Sequence, residues 1–147
     1  MTLTEAIHSR HSVRRYKDTP LPADVIETLL QKISEVNAEG GLHIQLVTDE
    51  PKAFKSILNY GTFSGVNNYF VVAGKKADDL DERAGYYGEQ LVLLAQQLGL
   101  NTCWQDLPTR RSKAPMPLMK GKRLSATSPS VMVRPKGLKG NINPLER

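Results

Sequence analysis

The residues best able to do chemistry stand close together near the start of the chain, in Arg10-His11-Ser12-Val13-Arg14-Arg15-Tyr16. Arg10, His11, Ser12 and Arg14 put two guanidinium forks, an imidazole and a hydroxyl within five residues. Such a set can surround the oxygens of a phosphate with charge-assisted hydrogen bonds from several directions. It would serve equally as a solvated basic turn after a helix, and spacing alone leaves both readings open. No metal-ligand spacing, Ser/His/Asp set or glycine-rich phosphate loop stands out elsewhere. His8 reads as a surface residue, and His43, in an alternating segment, as an exposed strand residue rather than a ligand.

Elements must hold that cluster in place. Thr2-Leu3-Thr4-Glu5 has the form of a capping box, in which Thr2 accepts from the amide three residues on and Glu5 reaches back. Leu3, Ala6 and Ile7 then form a short amphipathic helix ending near Ser9, immediately before the cluster. After the rigid Pro20-Leu21-Pro22 connector, Val25, Ile26, Leu29, Leu30, Ile33 and Val36 mark one face of a second helix, which stops at Gly40-Gly41. Leu42 to Leu46 alternates as a strand with one wet face. Pro51 to Leu58 reads as a short helix, Asn59 to Asn68 as a loop, and Tyr69 to Ala73 as a buried strand.

The longest apolar element is Leu80 to Trp104. Ala84, Tyr87, Leu91, Leu94, Ala95 and Leu98 recur at helical spacing and Tyr86, Val92 and Leu93 fill the sides, so this helix is expected at the centre. Gly85 and Gly88 are poor helix formers, which suggests close approach of another backbone, a cofactor or a partner chain. Gly99 supplies a stop.

The totals bound the answer. The 147 residues suit one domain with a real core. A single cysteine, Cys103, excludes an internal disulfide, and neither a signal-like start nor a membrane-length apolar run is visible, so a cytoplasmic protein is expected. The net charge of +5 is unevenly spread: residues 1–104 sum to −3 and residues 105–147 to +8. The basic segment also holds 6 of the 9 prolines and no aromatic residue.

In order and spacing, Arg10-His11-Ser12-Val13-Arg14, Pro20-Leu21-Pro22, Gly88-Glu89-Gln90-Leu91 and Gly99-Leu100-Asn101-Thr102-Cys103-Trp104 resemble the flavin-dependent nitroreductase family, over residues 1 to about 104. The resemblance implies an α+β fold with a central buried helix and a small mixed sheet, an intertwined homodimer, and FMN held at the dimer interface. Carried over by position, Arg10, Ser12 and Arg14 would bind the FMN phosphate and ribityl chain with His11 beside them. Asn37 is the one candidate for contact with the flavin ring, where many members have an Asn-x-Gln-Pro-Trp-like segment. NAD(P)H would supply the electrons, and a nitroaromatic, quinone or similar small molecule would accept them. Because the flavin does the chemistry, no protein acid, base or nucleophile is required.

Residues 105–147 depart from that pattern. Where the family continues to a core strand of the type Ile-Ala-Ile-Gly-Tyr-Gly, this chain has Arg110-Arg111-Ser112-Lys113 and Ser125-Ala126-Thr127-Ser128-Pro129-Ser130, which are not expected to make a buried strand. The fold is therefore expected to be incomplete at its C-terminus. One reading is a single-base slip of the reading frame after the Trp104 codon. Moving Ser128 to Val133 by one base permits Ile-Ala-Ile-Gly-Tyr-Gly, the last Gly following from the one methionine codon, which ends in G. The alternative is a natural disordered basic extension. As a functional class, that extension would suggest a binder of nucleic acid or another acidic surface, although it lacks aromatic residues to stack on bases. A third reading is an inactive, flavin-free remnant.

Overall fold

A computed structural model describes residues 1–16, 19–49, 65–106 and 129–135. Helix α1 (Leu3–Ser9) begins on the expected capping box: the Thr2 hydroxyl accepts from the Glu5 amide at 3.2 Å, and the Thr2 amide donates to Glu5 Oε2 at 2.7 Å. These bonds satisfy donors that a helix start otherwise leaves unpaired. Only Ala6 of this helix is buried; Leu3 and Ile7 are each 54% exposed.

Helix α2 (Ala23–Gly40) follows from its periodic apolar face and buries Leu29, Ile33 and Val36. Gly41 closes it at φ 60°, a left-handed conformation that glycine adopts without a Cβ penalty. The Arg83 guanidinium donates to the Gly40 carbonyl at 2.7 Å, placing a cation where the helix dipole is negative.

Strand β1 (Gln45–Val47) starts later than the alternation of Leu42 to Leu46 predicts, because Leu42 makes only an isolated bridge to Gly74. The alternation itself holds: Leu42 and Ile44 are buried and His43 is exposed. Strand β2 (Tyr69–Val71) is buried throughout, as its continuous apolar run requires. Phe70 and Val72 join the main core with α2 and the third helix; Tyr69 and Val71 join a second cluster with Tyr16, Val66 and Cys103. Successive side chains leave a strand on opposite faces, so β2 is covered on both.

Helix α3 (Leu80–Gln97) is the central element. It buries Leu80, Ala84, Gly88, Leu91, Val92, Ala95 and Gln96 against α1, α2 and the sheet. The sequence suggests burial nearly all round, but Tyr86 is 67% exposed, so within one chain this helix keeps an open side. Gly99, at φ 80°, turns the chain into β3 (Leu100–Asp106).

Strand β4 (Pro129–Pro135) lies between β2 and β3 in the order β1-β2-β4-β3, with every ladder antiparallel. The parallel component of the expected mixed sheet is, among the described residues, the bridge Ser12↔Thr102. Strand β4 takes in Pro129 and Ser130, the last two residues of the stretch not expected to make a buried strand, while 125–128 lie outside the described residues. The physical reason is in the backbone: the prolines fall at the two ends, paired with Asp106 and Leu100, so Ser130 to Arg134 all keep amides for the ladders. The expected helix at Pro51–Leu58 and most of the loop after it lie outside the described residues.

Candidate functional site

The Arg10–Arg14 segment is held between the end of α3 and the start of β3. At its amino side Arg10 caps α1, its amide donating to the Ala6 carbonyl at 2.9 Å. Just before it, the Ser9 hydroxyl accepts from Gln96 Nε2 at 3.1 Å. At its carboxyl side the Val13 amide donates to the Thr102 carbonyl at 3.1 Å, next to the Ser12↔Thr102 bridge. Arg10, His11 and Ser12 therefore occupy a short run fixed at both ends.

Their donors differ in state. Arg10 Nε and Nη2 are buried and have no hydrogen-bond partner among the described residues. Leaving buried N–H donors of a cation without acceptors is costly, and an anion bound there would supply them. Ser12 and Arg14 are exposed. His11 is also exposed, and its Nδ1 lies 3.2 Å from the Ser9 carbonyl, so an Nδ1–H there leaves Nε2 to face outward. The donor set of guanidinium, hydroxyl and imidazole on one pinned segment suits a phosphate monoester.

Asn37 belongs to another part of the fold. Its side-chain amide donates to the Ile44 carbonyl at 3.0 Å and accepts from the Ile44 amide at 2.8 Å, imitating one step of a strand ladder. This pairing ties the last turn of α2 to the lead-in of β1, and it leaves Asn37 one further N–H.

Gly88 also has a different neighbour from those the sequence suggests. A Cβ there would lie 2.5 Å from Trp104 Cη2, so the close approach is that of an indole ring from the same chain. The ring is locked by its Nε1–H, which donates to Glu89 Oε2 at 2.8 Å. Nothing lies within 4 Å of a Cβ built on Gly85, whose side of α3 remains open. Sequence reasoning missed Gln96 and Thr102, the two residues that fix the segment. The one available signal was a glutamine at a core position of the helix, four residues after Val92 and eight after Gly88.

Helices α2 and α3 packed on a small antiparallel sheet, with the Arg10–Arg14 segment bridged to β3, define an α+β architecture. The sequence matches the family described as "Putative TM nitroreductase" over residues 2–127, and the chain belongs to this nitroreductase family. That match extends past Trp104, further than the sequence motifs alone reach. Among solved structures the chain is similar to a nitroreductase with bound FMN from Bacteroides fragilis, with 18% identity, 99% of this chain and 96% of that chain covered, and a TM-score of 0.71. It is also similar to a protein described as a "putative nitroreductase in complex with fmn" from Desulfovibrio desulfuricans, with 18% identity, 99% and 93% coverage and a TM-score of 0.70. An FMN-dependent nitroreductase from Clostridium difficile shares 16% identity over 97% and 92% of the two chains, with a TM-score of 0.67. No curated protein matches the chain significantly in sequence.

Proposed function

We propose that this protein is an FMN-dependent oxidoreductase that moves electrons from NAD(P)H to a nitroaromatic, a quinone or a similar small acceptor. The observation that carries the reading is the pair of buried donors on Arg10 that have no partner among the described residues, set two residues from the exposed Ser12 and followed by Arg14. In this reading Arg10 supplies the buried charge for the FMN phosphate, Ser12 and Arg14 donate from the open side, and His11 offers Nε2 beside them. Asn37 serves mainly to hold the α2–β1 junction, with its remaining N–H available toward the ring. The bound flavin supplies the hydride and electron chemistry, so the protein's task is to orient it and keep its phosphate end fixed.

FMN-bound structures of the same fold support the cofactor assignment. The homodimer is supported by apolar side chains that a single chain leaves open, namely Leu3, Ile7, Leu30 and Tyr86. No helix among the described residues is long and apolar enough to cross a membrane, and a cytoplasmic enzyme is the reading that accords with the single reduced cysteine.

The test is direct. Purified protein reconstituted with FMN should be yellow, sediment as a dimer and bleach on addition of NADH or NADPH under anaerobic conditions. Protein that neither binds FMN nor bleaches refutes the assignment. Colourless protein that retards DNA at low salt would instead assign function to the +8 segment 105–147.

A further inference from the structure

The anion-binding segment owes its position to a residue that lies outside it. Gln96 is 5% exposed, in the last turn of α3, and its one side-chain bond among those described runs from Nε2 to the Ser9 hydroxyl at 3.1 Å. Buried amides are retained where their hydrogen bond specifies an arrangement, because leaving one unpaired is costly. Ser9 is the last residue of α1, and the next residue is Arg10, whose buried Nε and Nη2 lack partners among the described residues. Ser9 also engages the segment through its carbonyl, 3.2 Å from His11 Nδ1. Six residues beyond Gln96, after the Gly99 turn, the Thr102 carbonyl holds Val13. One continuous piece of backbone thus grips the segment at Ser9 through a side chain and at Val13 through the main chain.

We infer that Gln96 is a positioning residue for phosphate recognition, acting through the Ser9 hydroxyl to fix where Arg10 leaves α1. The inference rests on the reading of the segment as a phosphate site. It concerns affinity for the phosphate end of the ligand and makes no claim on the ring. A hydrogen bond that orients a charged donor should change binding by about fivefold to tenfold when it is removed.

The experiment measures Kd for FMN and for riboflavin, which lacks the phosphate, by quenching of flavin fluorescence in wild type, Gln96→Leu, Ser9→Ala and the double variant. Ser9 is exposed, so Ser9→Ala tests the bond even where Gln96→Leu compromises folding. The expected result is weaker FMN binding by about fivefold to tenfold in each single variant, riboflavin binding within twofold of wild type, and a double variant no weaker than the singles. Equal losses for FMN and riboflavin, losses that add in the double variant, or no loss at all would each overturn the positioning role. A wild type that binds FMN no better than riboflavin would overturn the phosphate reading itself, and the role of Gln96 with it. A phosphate preference undiminished in both single variants would remove Gln96 alone.

Discussion

Replacing Arg10 by Met should move stability and cofactor affinity in opposite directions. The methionine stem keeps most of the apolar contact of the arginine side chain and deletes the two buried donors, Nε and Nη2, that have no partner among the described residues. An unsatisfied buried polar group costs about 1–3 kcal/mol, so the flavin-free protein should gain roughly 1–2 kcal/mol after allowance for imperfect packing. For a chain of this size that corresponds to a rise in Tm of about 3–6 °C. Binding should suffer: two hydrogen bonds from a charged donor to phosphate are together worth about 3 kcal/mol or more, so Kd for FMN should rise at least about a hundredfold. Differential scanning fluorimetry of stripped protein gives the first quantity, and fluorescence titration with FMN gives the second. A variant that melts lower than wild type and binds FMN within threefold of it would show that Arg10 is a structural anchor, and the reasoning from its orphaned donors would be wrong.

Gly88→Ala puts a Cβ 2.5 Å from the Trp104 ring and should destabilise the fold by about 1–3 kcal/mol; because Trp104 is the only tryptophan, its emission should shift as the ring leaves Glu89, and an unchanged urea midpoint would refute the contact. The Glu5 carboxyl is held below its ordinary value of 4.5, chiefly by the Thr2 backbone amide and then by the Thr2 hydroxyl. Its ionised form therefore supports α1 fully above 4.5, so the Tm advantage of wild type over Glu5→Gln should be present at pH 7 and fade as the pH falls through the lowered value. Restoring one base after the Trp104 codon, so that the second frame is read, should raise both Tm and flavin occupancy relative to the chain as written. Equal values in the two proteins, or a coding DNA in which no single base restores an apolar strand, would remove the frame-slip reading.

Much of this was legible in the sequence where the cause is local. The Thr2–Glu5 box, the apolar face of α2 and the stop at Gly41 depend on residues within a turn or two of one another, and pattern reports such causes directly. What pattern could not report is what arrives from far along the chain. The neighbour of Gly88 is an indole sixteen positions on, brought back by the Gly99 turn, so a helical glycine announced a close approach without naming its partner. Position along the chain marks Asn37 as a candidate for the flavin ring, but its amide is matched to the Ile44 backbone, a pairing that depends on how the chain leaves Gly41. The cluster from Arg10 to Arg14 was visible by composition. Its state was not, since burial of Arg10 Nε and Nη2 is a property of the folded packing and not of the residue spacing.

The same long-range dependence joins the two ends of the molecule. Among the described residues β2 and β3 share no ladder; each pairs with β4, from Tyr69↔Met132 to Val71↔Ser130 on one side and from Leu100↔Pro135 to Asp106↔Pro129 on the other. Thr102, which holds Val13 and so fixes the carboxyl side of the Arg10–Arg14 segment, pairs with Val133 in the middle of the second ladder. Strand β4, which lies within the departing residues 105–147, therefore occupies an inner position of the sheet, and among the described residues β3 joins the sheet only through it. Any weakening of β4 should loosen β3 and with it the carboxyl anchor of Arg10, His11 and Ser12, while the direct packing of α2 on α3 runs through neither strand. Poor flavin retention in a chain that still folds is thus the specific failure to look for, and it separates a damaged last strand from a chain that never specified the fold.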